Sequence, residues 1–175
     1  MFPLGHIGMA LGIAYVAMRV LEKSWNPKML VLIVGVAAMT PDLIDKPTGP
    51  LYGYEFGGRL FAHTIVFATA VTVVSSVLWK TWSRKGSTLS LWPLLFSLGV
   101  WVHLLLDLSP EGVETLLWPA YGLGFPPGEL SWAHLTESPV AIAGEVFGAI
   151  ILVYLAVLIF KGRFSSHGLS ENNEE

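Results

Sequence analysis

The chain has 175 residues, of which 53% are hydrophobic and only 13% charged, and its mean hydropathy is +0.61. Soluble domains carry about 25% charged residues, so this composition points to a membrane. The net charge of −3 offers no basic surface for nucleic acid. The absence of cysteine excludes disulfides and thiolate metal sites, leaving His, Asp and Glu to hold any ion.

In chain order, five apolar segments stand out. The first runs from about Ile7 to Leu21, and no Lys or Arg precedes it, so no cleaved signal peptide is expected. The second runs from Pro27 to Thr40, with Asn26-Pro27 as N-cap and first helical residue. The third covers about Leu60 to Trp82, the fourth Leu91 to Leu106, and the fifth Val140 to Phe160 after Ser138-Pro139. A spanning helix needs about 20 residues. The third and fifth qualify directly, whereas the others reach that length only with the polar residues at one end. The expected fold is therefore an all-α, polytopic transmembrane helix bundle of about five membrane segments, forming one domain over residues 1–164, with a disordered polar tail over 165–175.

The loops differ in charge. Glu22–Asn26 and Ser83–Ser90 are short and basic, whereas Pro41–Gly58 and Leu108–Pro139 are long, rich in Gly, Pro and aromatics, and poor in Lys and Arg. Arg19, Lys23, Lys28, Lys80, Arg84, Lys85, Lys161 and Arg163 fall on one side of a five-span topology, which the positive-inside rule makes cytoplasmic. The N-terminus and the long loops are then extracytoplasmic and the C-terminus cytoplasmic. A multi-pass protein of the inner or plasma membrane is expected, with membrane lipids as its surroundings.

The remaining ionisable residues gather at that extracytoplasmic face. They are His6 at the start of the first segment, Asp42 and Asp45 after the second, and Arg59 and His63 at the start of the third. His103 and Asp107 lie at the end of the fourth, and His134 and Glu137 precede the fifth. Glu145 lies about two turns inside the fifth. His103 and Asp107 are i and i+4 and share a helical face; Asp42 and Asp45, i and i+3, share one only if the helix continues past Pro41. Each ionisable side chain costs about 2.5–3.5 kcal/mol at a helix centre, and clustered carboxylates repel one another. A divalent cation relieves both, and helix bundles commonly hold metals this way. The expected ligands are His6, Asp42, Asp45, His63, His103 and Asp107, with His134 and Glu145 as secondary candidates. They suit one or two divalent ions, Zn²⁺ first and Mn²⁺ or Fe²⁺ next.

Taken singly, these residues have plainer explanations. His103 and Asp107 can be a hydrogen-bonded pair, Pro41-Asp42 turn chemistry, and His6 a solvated terminal residue. Arg59 can be an interface anchor, His134 a loop residue, and Glu145 the partner of a nearby hydroxyl.

Four blocks, Gly5-His6-Ile7-Gly8, Pro41-Asp42-Leu43-Ile44-Asp45, Arg59-Leu60-Phe61-Ala62-His63-Thr64 and His103-Leu104-Leu105-Leu106-Asp107, resemble the signatures of the predicted membrane-bound metal-dependent hydrolases. That family includes LexA-regulated inner-membrane proteins of bacteria. The resemblance extends to Glu111-Gly112 and Leu117-Trp118-Pro119. It departs in the third block, where Gly58 and Ala62 stand in place of a His and a Thr and Thr64 in place of a Ser.

Together the residues and the resemblance imply an integral-membrane metal-dependent hydrolase acting at the extracytoplasmic face on a small or lipid-linked substrate such as a phosphate ester. The cation would activate a water, Asp45 could act as general base, and Arg59 would stabilise developing negative charge. The alternatives are a divalent-metal transporter or sensor, or a non-catalytic structural membrane protein whose polar groups hold helices together.

Overall fold

The computed structural model describes residues 3–21, 26–52, 58–85, 90–108, 110–125 and 138–162. Its elements are α1 (Pro3–Val20), α2 (Pro27–Thr48), a 3-10 turn (Gly49–Tyr52), a second 3-10 turn (Phe61–His63), α3 (Ile65–Arg84), α4 (Trp92–Leu106), the short α5 (Pro110–Leu116) and α6 (Pro139–Phe160). No strand occurs among the described residues. The tail from residue 165 lies outside them.

Local chemistry sets the helix starts. The Asn26 side chain accepts from the N–H groups of Lys28 and Met29 at 2.9 and 3.3 Å, with Pro27 in the first turn, as expected. Ser138 caps α6 through Ala141 N–H in the same way. Two boundaries differ from the expectation. Helix α2 does not stop at Thr40 but runs through Pro41 to Thr48, giving 22 residues. The third segment does not begin as helix at Leu60. Its first residues form the Phe61–His63 turn, and α3 starts at Ile65 under the Thr64 cap, whose hydroxyl accepts from Phe67 N–H.

Four helices are long and apolar enough to cross a membrane: α1, α2 with its extension to Leu51, α3 and α6. Helix α4 has only 15 residues, about 22 Å of helix. Its crossing follows from direction. Gly5 meets Glu145, Gly8 meets Gly148 and Gly12 meets Ile151, so α1 and α6 run parallel. An odd number of alternating passes must therefore separate them; α2 and α3 supply two, and α4 supplies the third.

Helix α4 is also the innermost, packing on α1, α2 and α3. Small residues allow this. At Gly99 a Cβ would lie 2.7 Å from the Ala37 Cβ and 3.2 Å from the Val34 carbonyl, so only glycine lets α4 press this closely on α2. The core combines Ala10, Leu11, Ala14, Leu30, Val34, Ala38, Leu95 and Val102. The outer faces of α3 and α6 expose Val73, Val74, Val77, Val146, Phe147 and Ile150, as lipid-facing surfaces should.

Candidate metal centre

The alternating passes bring the first turn of α1, the last turns of α2 and α4, and the turn before α3 to one end of the bundle. There His6, Asp42, Asp45, His63 and His103 are buried and Asp107 nearly so.

Asp45 organises the approach to α3. It is 1% exposed. Oδ2 accepts from Leu60 N–H at 2.8 Å and His63 N–H at 3.2 Å, and Oδ1 from Ala62 N–H at 3.0 Å. These bonds wind residues 60–63 into a 3-10 turn around the carboxylate and account for the late start of α3. Asp45 Oδ2 also lies 2.7 Å from His63 Nδ1. An oxygen already served by N–H groups can only accept here, so Nδ1 donates and Nε2 faces the other way.

His103 is held similarly. Pro41 has no N–H for the Ala37 carbonyl, which loosens this turn of α2. On the next carbonyl, Ala38 O, His103 Nδ1 donates at 2.6 Å, reaching it from one turn beyond Gly99. Its Nε2 therefore also faces inward. The two Nε2 atoms stand 3.2 Å apart.

Each nearby carboxylate divides its oxygens. Asp42 Oδ2 accepts from Lys46 Nζ at 2.6 Å, while Oδ1 lies 3.5 Å from His63 Nε2 and 3.9 Å from His103 Nε2. Asp107 follows the last residue of α4, and its N–H still bonds to His103 O, which keeps it on the His103 face. Its Oδ1 lies 3.1 Å from His6 Nε2, and its Oδ2 lies 3.6 and 3.8 Å from the Nε2 atoms of His63 and His103. Arg59 Nε approaches that Oδ2 at 3.5 Å.

Asp42, His63, His103 and Asp107 thus offer four ligand atoms, all within 4.8 Å of one another. The edge of a tetrahedron with 2.0–2.2 Å bonds is about 3.3–3.6 Å, and the spacings given above, 3.2 to 3.9 Å, bracket it. A buried Asp/His cluster that could hold a metal ion is therefore in place. Both imidazoles have their second nitrogen fixed by an acceptor, the arrangement usual behind metal-bound histidines.

Electrostatics at the edge of the cluster follow from the same contacts. Burial pushes the His63 imidazolium down, but Asp107, Asp42 and Asp45 outweigh it and raise its pKa to about 10. Burial likewise opposes the charge on Asp107, yet His6, His63 and Arg59 hold it well below the usual carboxylate range.

Of the other expected site residues, His6 stacks on the His103 ring with centroids 4.2 Å apart and stands behind Asp107. Asp45 stands behind His63. Both lie outside the group of four. Arg59 lines a small cleft with His63, Leu104, Asp107, Leu108, Gly112 and Leu116 that leads to Asp107. Glu145 also lies outside the group and accepts from Gly5 N–H at 2.9 Å. His134 and Glu137 fall outside the described residues. Lys46 and the Ala38 carbonyl, which fix Asp42 and His103, were not singled out in the sequence. Only the i,i+4 spacing of Asp42 and Lys46 could have signalled the first.

Residues 1–166 match a family model described as YdjM inner membrane protein. Inner membrane protein YbcI of Escherichia coli (strain K12) is 32% identical over 97 residues, which cover 53% of this chain and 55% of that protein. The chain thus spans about half the length of the curated relative it matches. No solved structure matches.

Proposed function

The chain belongs to the YdjM inner membrane protein family, and from that premise we propose that this multi-pass membrane protein is a metal-dependent hydrolase with one divalent cation held by Asp42, His63, His103 and Asp107. One observation carries the reading. His63 and His103 each commit Nδ1 to an acceptor, and their Nε2 atoms face one another at 3.2 Å between two carboxylate oxygens. Neutral rings so placed oppose two lone pairs, and only a proton or a cation reconciles them. Two nitrogens and two oxygens, with five of their six separations at 3.2 to 3.9 Å, suit Zn²⁺ best.

A cation there supplies Lewis-acid charge and makes water a usable nucleophile near neutral pH. The protein's own residues do the rest. Asp45 orients His63, and the Ala38 carbonyl orients His103. His6 and Arg59 steady Asp107. The Arg59 guanidinium also faces the cleft, where its planar fork suits an oxyanion such as a phosphate ester. The cleft holds only about 10 Å³, and Leu104, Leu108 and Leu116 around it form an apolar rim that favours a lipid-linked substrate. By the distribution of Lys and Arg, this end of the bundle is extracytoplasmic. A reporter fused after Phe164 should then read cytoplasmic; an external signal would reverse the sidedness.

Transport is a weaker reading, because the cluster sits at one end of the bundle rather than its middle, where transporter sites lie. The deciding measurement is metal content of the detergent-purified protein by elemental mass spectrometry. The wild type should carry about one ion per chain, and His103→Ala with Asp107→Ala should carry none. No metal in either protein after reconstitution with Zn²⁺, Mn²⁺ or Fe²⁺ would reduce the cluster to hydrogen-bonded packing. Arg59→Ala should keep the metal and lose turnover of phosphoester substrates; loss of the metal instead would deny Arg59 the substrate role.

A further inference from the structure

Glu145 sits two turns into α6, a helix otherwise without acidic or basic side chains. An ionisable side chain in a membrane span is costly and is found facing the bundle with a partner. Its partner is the Gly5 N–H, at 2.9 Å. Gly5 is the third residue of α1, so this N–H is one of those a helix start leaves without an internal acceptor. A carboxylate there also faces the positive end of the helix dipole. In effect α6 caps α1 from across the interface.

The contact is enforced by packing. A Cβ on Gly8 would lie 2.6 Å from the Gly148 Cα, and a Cβ on Gly148 would lie 2.5 Å from Leu4 O and 2.6 Å from the Gly5 Cα. The first turn of α1 is therefore pinned to α6 by backbone contact on both sides of the Glu145 bond. The residue that follows Gly5 is His6, fully buried, stacked on His103 and 3.1 Å from Asp107.

We infer that Glu145 is a positioning residue: it latches the first turn of α1 to α6 so that His6 bears on Asp107 and holds that carboxylate toward His63 and His103. Its link to metal affinity rests on the cation reading above. The latch itself does not.

The test uses the full-length protein in detergent with two readouts. In metal-free protein, diethylpyrocarbonate modification located by mass spectrometry should leave His6 protected in the wild type and in Glu145→Gln, whose amide oxygen can still accept. Glu145→Ala should make His6 reactive while His63 and His103 stay protected. Glu145→Asp, which keeps the charge but loses the reach, should behave as Glu145→Ala and serves if the alanine variant misfolds. In the second readout, Glu145→Ala and His6→Ala should each weaken Zn²⁺ binding about tenfold, the low end for residues behind metal ligands, and the double variant should be no weaker than His6→Ala alone. His6 equally protected in Glu145→Ala and the wild type, or effects that add in the double variant, would overturn the proposal. A wild type that binds no Zn²⁺ while Glu145→Ala still exposes His6 would sink the cation reading and leave the latch standing.

Discussion

Two of the polar regions among the described residues of this bundle are built on opposite terms. Midway along α3 and α4, Thr72 Oγ1 donates to Ala68 O at 2.8 Å and accepts from Ser97 Oγ and Trp101 Nε1, each at 2.8 Å. Every hydroxyl proton there has an acceptor and no charge is present. At the end of the bundle, four ligand atoms of Asp42, His63, His103 and Asp107 converge, and the groups behind them are arranged to turn them inward. Hydrogen-bonded glue between membrane helices looks like the first region. The second brings two carboxylates and two imidazoles within 4.8 Å of one another, a cluster that could hold a metal ion.

The largest expected difference between the two regions is at Asp45. It is a buried group whose oxygens hold the turn into α3 and orient His63. Asp45→Ala leaves those donors without an acceptor, and removing one partner of a buried charged pair costs about 3–5 kcal/mol. Thermal unfolding in detergent should show that loss together with loss of bound metal. A variant as stable as the wild type would mean that the carboxylate does not organise the turn.

Much of this was legible in the sequence. The caps at Asn26 and Ser138, the shared face of His103 and Asp107, and the gathering of ionisable residues at one end all follow from local spacing. Four features did not. Pro41 reads as a helix end, but tight packing at Gly99 and the bond from His103 to Ala38 O support a helix that continues. Asp42 and Asp45, three residues apart, look equivalent; only the return of residues 60–63 over α2 gives one to the cluster and the other to backbone N–H groups. Glu145 has its partner 140 positions away, on a backbone N–H, which no side-chain pattern can announce. His6 reads as one of the metal ligands, but it is buried outside the group of four, stacked on His103 and 3.1 Å from Asp107.

A smaller effect separates the regions by pH. His63 keeps its proton up to about 10 in the metal-free protein, above an ordinary value of about 6.5. Its contribution to metal-free stability is therefore full below that ordinary value and is lost as pH rises through about 10. A cation must displace this proton from Nε2. Zn²⁺ affinity should then rise about tenfold per pH unit, about 1.4 kcal/mol, until pH approaches 10. Calorimetry in two buffers of different ionisation enthalpy should find about one proton released per ion near neutrality. No release would exclude His63 Nε2 as a ligand.

The smallest effect belongs to the middle of the bundle. Thr72→Val keeps the side-chain shape and removes the hydroxyl that Ser97 and Trp101 share. Hydrogen bonds between membrane helices average only about 0.6 kcal/mol, because the unfolded chain in the membrane also finds partners. The variant should therefore unfold within about 1 kcal/mol of the wild type and retain its full complement of metal. Its value lies in that contrast. If Thr72→Val emptied the site, the two regions would form one coupled network running along α4, and the distinction between structural glue and cation site would fail. If it left metal content intact while Asp45→Ala did not, the cluster at the bundle end would be a separate unit, supported by its own shell of Asp45, Lys46, the Ala38 carbonyl and His6.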